Sequence, residues 1–514
     1  MSKLNALSTR SFDYVLASTS GVLLALSFPK FGHPAFGWIA LAPLLLALTN
    51  SASRAPIPVP SPLRRGFLLG LTCGIVYFTG TLYWITRVMT TYGGLQPFVA
   101  LLVNAALVAY LALFPAVFAM ITGRLATAFG WRGVIAAPLV WVATELGRTH
   151  LLTGFPWVLL GYSQATVLPI AQLASLFGVF GVSALVASVS AAAVVTRKLV
   201  PVVVVAALVA AAAAWGSIRV RSAELTRLGD PVRVGLIQGN IEQTEKTEAA
   251  RATSIFASYL GMTREAIGRG AELVIWPESS TPFMFEEEPP AAARVRAIAR
   301  EARVSILLGS DQLERGRPDK YFNSAFLVRS DGTTAGVYRK MHLVPFGEYV
   351  PLRRLLFFAA PLVEAVGAGF FAGEKAELLP VDGHVISAAI CYEIVYPALV
   401  RQFVRGGSEL LTTITNDAWF GRTSAPYQHF AQASMRAIEE GRYLVRSANT
   451  GISGIVDPYG RVLEESTIYE QTVIVGQARY LNASTFYQRH GDVFAYASLV
   501  VTIAMLVLAR RRVQ

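Results

Sequence analysis

Three residues of this chain carry the side chains that nucleophilic catalysis needs, and each lies at or just past an apolar run. Glu278 closes AELVIWPE, Lys340 lies in VYRKMHLVPFGE, and Cys391 follows HVISAAI. A thiol attacks as its thiolate, and an ordinary cysteine with a pKa of about 8.5 is only a few per cent ionised at neutral pH. A lysine nearby favours the anion, and a carboxylate can accept the proton as general base. Singly, each residue has a plain explanation: a turn glutamate after Trp-Pro, a solvated lysine, an inert buried thiol. Their order and context in one chain shift the reading towards a Glu–Lys–Cys site.

Such a site needs a rigid frame. From Val232 onward, short β-rich runs alternate with amphipathic stretches. Strands are expected at 232–240, 271–278, 304–311, 321–330, 335–344, 384–393, 408–417, 443–451 and 472–480. Helices fit 247–268, 289–303, 396–406 and 426–441. This alternation argues for an α/β domain, in which strand ends and the loops after them usually assemble sites.

The rest of the chain is a different material. The 514 residues are 54% hydrophobic and 15% charged, against about 25% charged in soluble domains. Residues 232–480 hold 26 Lys/Arg and 28 Asp/Glu, whereas the remainder holds 19 and 5. The formal charge of +12 therefore belongs to the apolar part, which argues against nucleic acid as the main partner. The two cysteines, Cys73 and Cys391, exclude a disulfide framework. The six histidines show no metal-ligand spacing, and no metal or cofactor is expected.

Apolar runs fall near 11–28, 34–50, 66–86, 95–122, 133–147, 165–195, 199–216 and 492–509. Several approach the roughly 20 residues that span a bilayer as a helix. With the N-terminus inside, Lys3, Arg10, Arg54, Arg64, Arg65, Arg124, Arg132, Arg197, Lys198 and Arg510 to Arg512 are cytoplasmic. Only Lys30, Arg87 and Arg148 then lie in the short outside loops. That bias favours one orientation, with both termini cytoplasmic. The expected organisation is a membrane domain over 1–218 with seven spans, a linker over 219–231, a periplasmic domain over 232–484, and a last span with a basic tail over 485–514. Glu145, Arg148 and His150, before Thr153-Gly154-Phe155-Pro156-Trp157, are unusual at a membrane. They read either as a helix-end ion pair with snorkelling side chains or as a feature shaping lipid access.

Several blocks together resemble one family. Trp276-Pro277-Glu278, Tyr338-Arg339-Lys340 and Ile390-Cys391-Tyr392-Glu393 look like the Glu, Lys and Cys blocks of the nitrilase superfamily. The run from Tyr338 to Pro351, Thr415-Asn416-Asp417-Ala418-Trp419-Phe420-Gly421, and Arg446-Ser447-Ala448-Asn449-Thr450-Gly451 are similar to its membrane-embedded apolipoprotein N-acyltransferase branch. The Thr153 to Trp157 stretch fits the same branch. One departure lies after Gln238-Gly239-Asn240-Ile241, where Thr247 stands in place of the family's usual Trp.

The resemblance implies an αββα nitrilase-like sandwich inserted between about eight transmembrane helices in a bacterial inner membrane. It implies acyl transfer through a Cys391 thioester, from a phospholipid donor to the α-amine of a diacylglyceryl apolipoprotein, with no cofactor. Glu278 is then the base, Lys340 and the Tyr392 N–H the oxyanion donors, and Glu348 an aid to Lys340, unless it forms only a structural ion pair. Tyr392 and Glu393 either shape an acceptor pocket or form a plain strand-end turn. The greasy stretch 353–373 reads as a lid, with Phe357, Phe358, Phe370 and Phe371 entering lipid and Arg353 and Arg354 meeting phosphates, or as a helix packed on the domain's own core. A bulky membrane part favours a monomer. Two readings compete: a membrane-anchored amidase or nitrile hydrolase, and a transporter with a binding module. The transporter reading is weakened because Asp13, Glu145 and Asp492 are the only acidic residues among the spans and no internal repeat is visible.

Overall fold

The structure is a computed structural model that describes residues 2–50, 62–246, 248–349 and 369–512. The chain divides into two compact units. One comprises Met1–Thr86, Phe98–Ser222 and His490–Gln514, the other Arg87–Pro97 and Ala223–Arg489.

The first unit is helical, as a backbone in hydrocarbon must be to satisfy its own polar groups. Among the described residues, five helices are long and apolar enough to cross a membrane: Leu63–Leu82, Pro97–Phe129, Ala174–Val194, Leu199–Arg227 and Val493–Arg511. The apolar run at 34–50 is two short helices, Ala35–Ile39 and Ala42–Asn50. The run at 133–147 is Trp131–Ile135 followed by the 14-residue Ala137–His150. Glycines set one contact within this unit. Gly66, Gly70 and Gly74 share a face of Pro62–Leu82 and lie against Ala119, Pro115 and Ala112 of the next long helix. A Cβ on Gly66 would sit 2.9 Å from the Ala119 carbonyl, and one on Gly74 2.7 Å from Ala112 Cα. Small residues here let the two backbones approach.

Glu145 and Arg148 do not snorkel. Both are 2% exposed. Glu145 accepts the backbone N–H of Leu160 at 2.6 Å, and Arg148 donates to the carbonyls of Trp157 (2.6 Å) and Val158 (3.4 Å). The pair thus satisfies the non-helical backbone around Phe155-Pro156-Trp157.

Among the described residues, the second unit holds twelve strands in two six-stranded sheets. The strands are β1 (Asp230–Gln238), β2 (Leu273–Ile275), β3 (Ser305–Glu314), β4 (Arg317–Val328), β5 (Thr334–Arg339) and β6 (Leu379–Val381). They continue with β7 (His384–Ile390), β8 (Leu410–Thr415), β9 (Leu444–Ala448), β10 (Gly454–Val456), β11 (Val462–Glu465) and β12 (Thr472–Tyr480). The sheet orders are β12-β1-β2-β3-β4-β5 and β11-β10-β9-β8-β7-β6. In each sheet three neighbours run parallel, β1-β2-β3 and β7-β8-β9, with antiparallel strands outside them. Such parallel strands are buried on both faces and read as continuous apolar runs.

The helices Ala249–Gly268 and Pro289–Ala302 cover the first sheet through one core of Tyr259, Leu260, Val295, Trp276, Leu308 and Phe326. Tyr259 stacks on Trp276 at 5.1 Å, and Trp276 Nε1 donates to Thr263 Oγ1 at 2.8 Å. Between the sheets, Ser447 Oγ of β9 donates to the Ile237 carbonyl of β1 at 2.8 Å. Helices Pro397–Arg405 and Ala425–Glu440 belong to the second sheet, the latter buried along nearly its whole length. The result is the expected αββα sandwich.

Replacing Gly70 by leucine is expected to separate the two long helices and to cost about 3 kcal/mol or more through overpacking. Gly261→Ala, at an open helix position, should be neutral. Thermal unfolding in detergent that ranks the two variants equally would refute this packing.

Candidate active site

Strand direction brings the three candidate residues together. Because β4 and β5 are each antiparallel to their predecessor, β5 runs with β2, and both end at the same edge of the first sheet. Glu278 follows β2 by way of Trp276-Pro277, and Lys340 directly follows β5. Cys391 directly follows β7, the parallel neighbour of β8. The Glu278 turn crosses Gly309 so closely that a Cβ there would lie 2.6 Å from the Pro277 carbonyl.

Lys340 is 1% exposed, and its Nζ donates to Glu348 Oε1 at 2.8 Å and to Glu278 Oε1 at 3.4 Å. Burial alone would discharge this ammonium, but Glu348, Glu278 and the Cys391 sulfur outweigh it and hold its pKa above the ordinary lysine value. Asn323 of β4 bridges the carboxylates, its Nδ2 lying 2.7 Å from Glu278 Oε1 and 3.1 Å from Glu348 Oε1. The second oxygen of Glu278 accepts the Asn416 backbone N–H at 2.8 Å, and that of Glu348 accepts Val344 N–H at 2.7 Å.

Cys391 is 8% exposed and opens a 3-10 turn, Cys391–Val395, in the left-handed region at φ 54°. The strand expected over 384–393 stops at Ile390, because Glu393 folds back to accept the Ile390 N–H at 2.8 Å. Burial pushes the Cys391 thiol well up; Glu278 adds to this, and Lys340 opposes without reversing it. Lys340 thus acts in the expected direction, yet the resting group is a thiol.

Glu393 is wholly buried. Its carboxylate also accepts Tyr338 OH (2.7 Å), Met341 N–H (2.7 Å) and His342 N–H (3.0 Å). It therefore staples the Lys340 loop to the Cys391 turn, and burial pushes it up to about 7. The Glu393 carboxylate thus has four hydrogen-bond partners, in the Lys340 loop and at the Cys391 turn. Tyr392 packs edge-on to Tyr396 at 5.2 Å, and His342 lies over Tyr396 at 3.8 Å. Burial and then Lys340 hold His342 down at about 4, so it is neutral.

Of the lid residues, Phe357 and Phe358, like Arg353 and Arg354, lie outside the described residues, as does Thr247. Phe370 N–H bonds the Glu348 carbonyl at 3.3 Å, and Phe371 N–H the Tyr321 carbonyl at 2.8 Å. Gly373 N–H bonds the carbonyl of Lys340 itself at 2.8 Å. The segment is thus tied to the lysine loop, with the Phe371 ring 43% exposed.

Sequence reasoning did not single out Asn323, nor a buried set behind the nucleophile. His429 Nε2 lies 3.2 Å from the Cys391 carbonyl, and its Nδ1 lies 3.0 Å from Arg446 Nη2. Arg446 Nη2 also bonds Asp417 Oδ2 at 2.9 Å. His429 Nδ1 also lies 3.1 Å from Asp417 Oδ1; burial and Arg446 lower the His429 pKa, and Asp417 opposes them. Asp417 and Arg446 stood in quoted motifs, but His429 reads in sequence as an ordinary core histidine on a helix.

Buried acid, lysine and cysteine lie at the strand ends of a two-sheet αββα unit of the nitrilase type, in a chain that also carries an apolar helical unit. Residues 233–480 match the carbon-nitrogen hydrolase family, and residues 20–192 match the apolipoprotein N-acyltransferase N-terminal domain. The chain is 41% identical to the apolipoprotein N-acyltransferase of Geobacter metallireducens over 97% of its length and 96% of that protein's. It is 35% identical to that of Methylococcus capsulatus, with the same coverage of both chains. The enzyme of Nitrosomonas europaea is 33% identical, with 97% of each chain covered. The chain belongs to the apolipoprotein N-acyltransferase family.

Two outcomes test the geometry. Glu393→Ala leaves at least four buried donors unpaired and should cost about 3 kcal/mol or more, lowering the unfolding midpoint; an unchanged midpoint would mean the staple is not formed. Because the folded thiol titrates above its ordinary 9.0, alkylation of Cys391 should climb about tenfold per pH unit from pH 7 to 9. A plateau near pH 7 would show a thiolate already formed at rest.

Proposed function

We propose that this chain N-acylates the diacylglyceryl-cysteine of apolipoproteins, the last step of bacterial lipoprotein maturation, using a membrane phospholipid as acyl donor. The observation that carries the reading is the buried set of Glu278, Lys340, Glu348 and Cys391 in a chain whose relatives bear that enzyme's name. Placement in the inner membrane, a periplasmic catalytic unit, cytoplasmic termini and a monomeric state belong to the same proposal. So does the division into a membrane domain over 1–218, a linker, a catalytic domain over 232–484 and a final span.

Glu278 takes the Cys391 proton as sulfur attacks the ester carbonyl of the phospholipid. Charge passes to the carbonyl oxygen, where the Lys340 ammonium and the Tyr392 N–H are the proposed donors. Such a donor is typically worth about 10²–10³ in rate. The C–O bond then breaks, Glu278 returns the proton to the departing lysophospholipid, and the acyl group stays on sulfur as a thioester. In the second half the acceptor amine attacks the thioester. Glu278 accepts the ammonium proton of the tetrahedral adduct and passes it to the leaving Cys391 sulfur. Thioester to amide runs downhill, so the chemistry calls for no cofactor. Glu348 holds Lys340 in place, and Glu393 positions the Cys391 turn.

Intact-mass measurement of the protein incubated with phospholipid and no acceptor, beside Cys391→Ala, tests this reading. One added acyl group on the unaltered chain alone, released by a diacylglyceryl peptide, is the expected result. Equal masses with lipid bound, or release of free fatty acid by water as the sole product, would overturn it in favour of transport or hydrolysis.

A further inference from the structure

The connection 83–96, which contains the short helix Trp84–Thr91, joins two helices long and apolar enough to cross a membrane, yet Arg87–Pro97 clusters with the catalytic unit. A loop between two such helices sits where hydrocarbon gives way to headgroups. It carries Arg87, and on the expected orientation it lies on the side where basic residues are scarce.

Within the unit, this connection meets the loop that follows β8. Tyr92 OH donates to the Ala418 carbonyl at 3.0 Å and its ring lies edge-on to Trp419 at 5.1 Å. Arg87 lies flat on Gly421, where a Cβ would fall 3.0 Å from its Nε. Next to it, Arg422 stacks over the Tyr469 ring at 4.6 Å, and the Tyr469 hydroxyl reaches the same Ala418 carbonyl at 3.5 Å. Burial pushes that hydroxyl up to about 12, helped by Tyr92 and opposed by Arg87 and Arg422, so both guanidinium groups act on one point. Both arginines are exposed, and among the described residues neither forms an ion pair with a carboxylate.

Two unpaired guanidinium groups beside Tyr92, Trp419 and Tyr469, at headgroup depth, suit a phosphodiester. Arginine offers the bidentate fork for phosphate oxygens, and Tyr and Trp are at home at the lipid–water boundary. The loop they frame begins at Asn416, whose N–H touches Glu278. Residues 417–420 form a 3-10 turn between that contact and Arg422, and at about 2 Å per residue this turn spans about 8 Å.

We propose that Arg87 and Arg422 form the subsite for the phosphodiester of the glycerophospholipid acyl donor, holding its headgroup while the ester reaches Cys391. The proposal rests on the acyltransferase reading for the identity of that lipid as donor, but its test contains no acyl transfer. The full chain carrying Cys391→Ala, in uncharged detergent, would be titrated with phosphatidylglycerol and with diacylglycerol of the same chains. Adding Arg87→Gln and Arg422→Gln should weaken phosphatidylglycerol about tenfold together and about threefold singly, since each removes a charge-assisted bond. Diacylglycerol affinity should stay unchanged. Arg87→Lys should recover part of the loss, and glycerophosphoglycerol, the deacylated diester, should compete with phosphatidylglycerol more strongly than inorganic phosphate does. Unchanged phosphatidylglycerol affinity, equal losses for both lipids, or equal competition by inorganic phosphate would overturn the subsite. Failure of the thioester experiment alone would overturn the donor role and leave this binding comparison readable.

Discussion

The buried ammonium of Lys340 is the constraint on which the catalytic unit depends. Taking such a charge out of water costs several kcal/mol, and removing one partner of a buried pair costs about 3–5 kcal/mol. Lys340 therefore needs Glu348 and Glu278, and two carboxylates around one ammonium leave an excess negative charge. Asn323 and the Asn416 N–H absorb that excess. Lys340 and Asn323 belong to the β5 and β4 side of the first sheet, Glu278 to the end of β2, and Asn416 to the end of β8 in the second sheet. Satisfying one charge consequently fixes the register of two sheets. The reactive groups are thereby held between the two sheets.

The nucleophile is held by a different means. A non-glycine residue in the left-handed region is strained, and it persists only where its surroundings dictate it. Glu393 fixes the peptide before Cys391, and His429, oriented by Arg446, holds its carbonyl. The Lys340 ammonium favours the thiolate, but burial and Glu278 outweigh it and keep the thiol protonated. Strain and pKa thus serve separate ends: one aims the sulfur, the other keeps it quiet until a base takes its proton.

These roles differ in how far sequence exposes them. Glu278, Lys340 and Cys391 were legible because each polar residue closes or follows an apolar run, although the strand before Glu278, β2, has only three residues. The alternation pointed to an α/β domain, and the αββα order was what the family resemblance implied. Strands β6, β10 and β11, of three or four residues, left no periodicity to read. Asn323 lies inside a strand, where it looks like a surface position, and meets its partners only once β4 pairs with β5. His429 is separated from Cys391 by 38 residues, and nothing local marks the carbonyl it serves. The membrane runs were visible as composition. The break at Ala40 and Leu41 in the 34–50 run, and the inward turn of Glu145 and Arg148, depend on packing that composition does not encode.

The same economy bears on the proposed intermediate. A thioester that must await a second, bulky substrate has to survive water. At 8% exposure, Cys391 offers little surface to solvent, and the carboxyl oxygens of Glu278 already accept from Asn323, Lys340 and Asn416 N–H. A carboxylate with its lone pairs engaged is a poor activator of a stray water, since it must first give up a hydrogen bond. An acceptor amine that displaces one of these donors would free the base at the moment it is needed. On this view, selectivity for amine over water comes from the cost of disturbing the Lys340 network, which only a well-anchored acceptor repays.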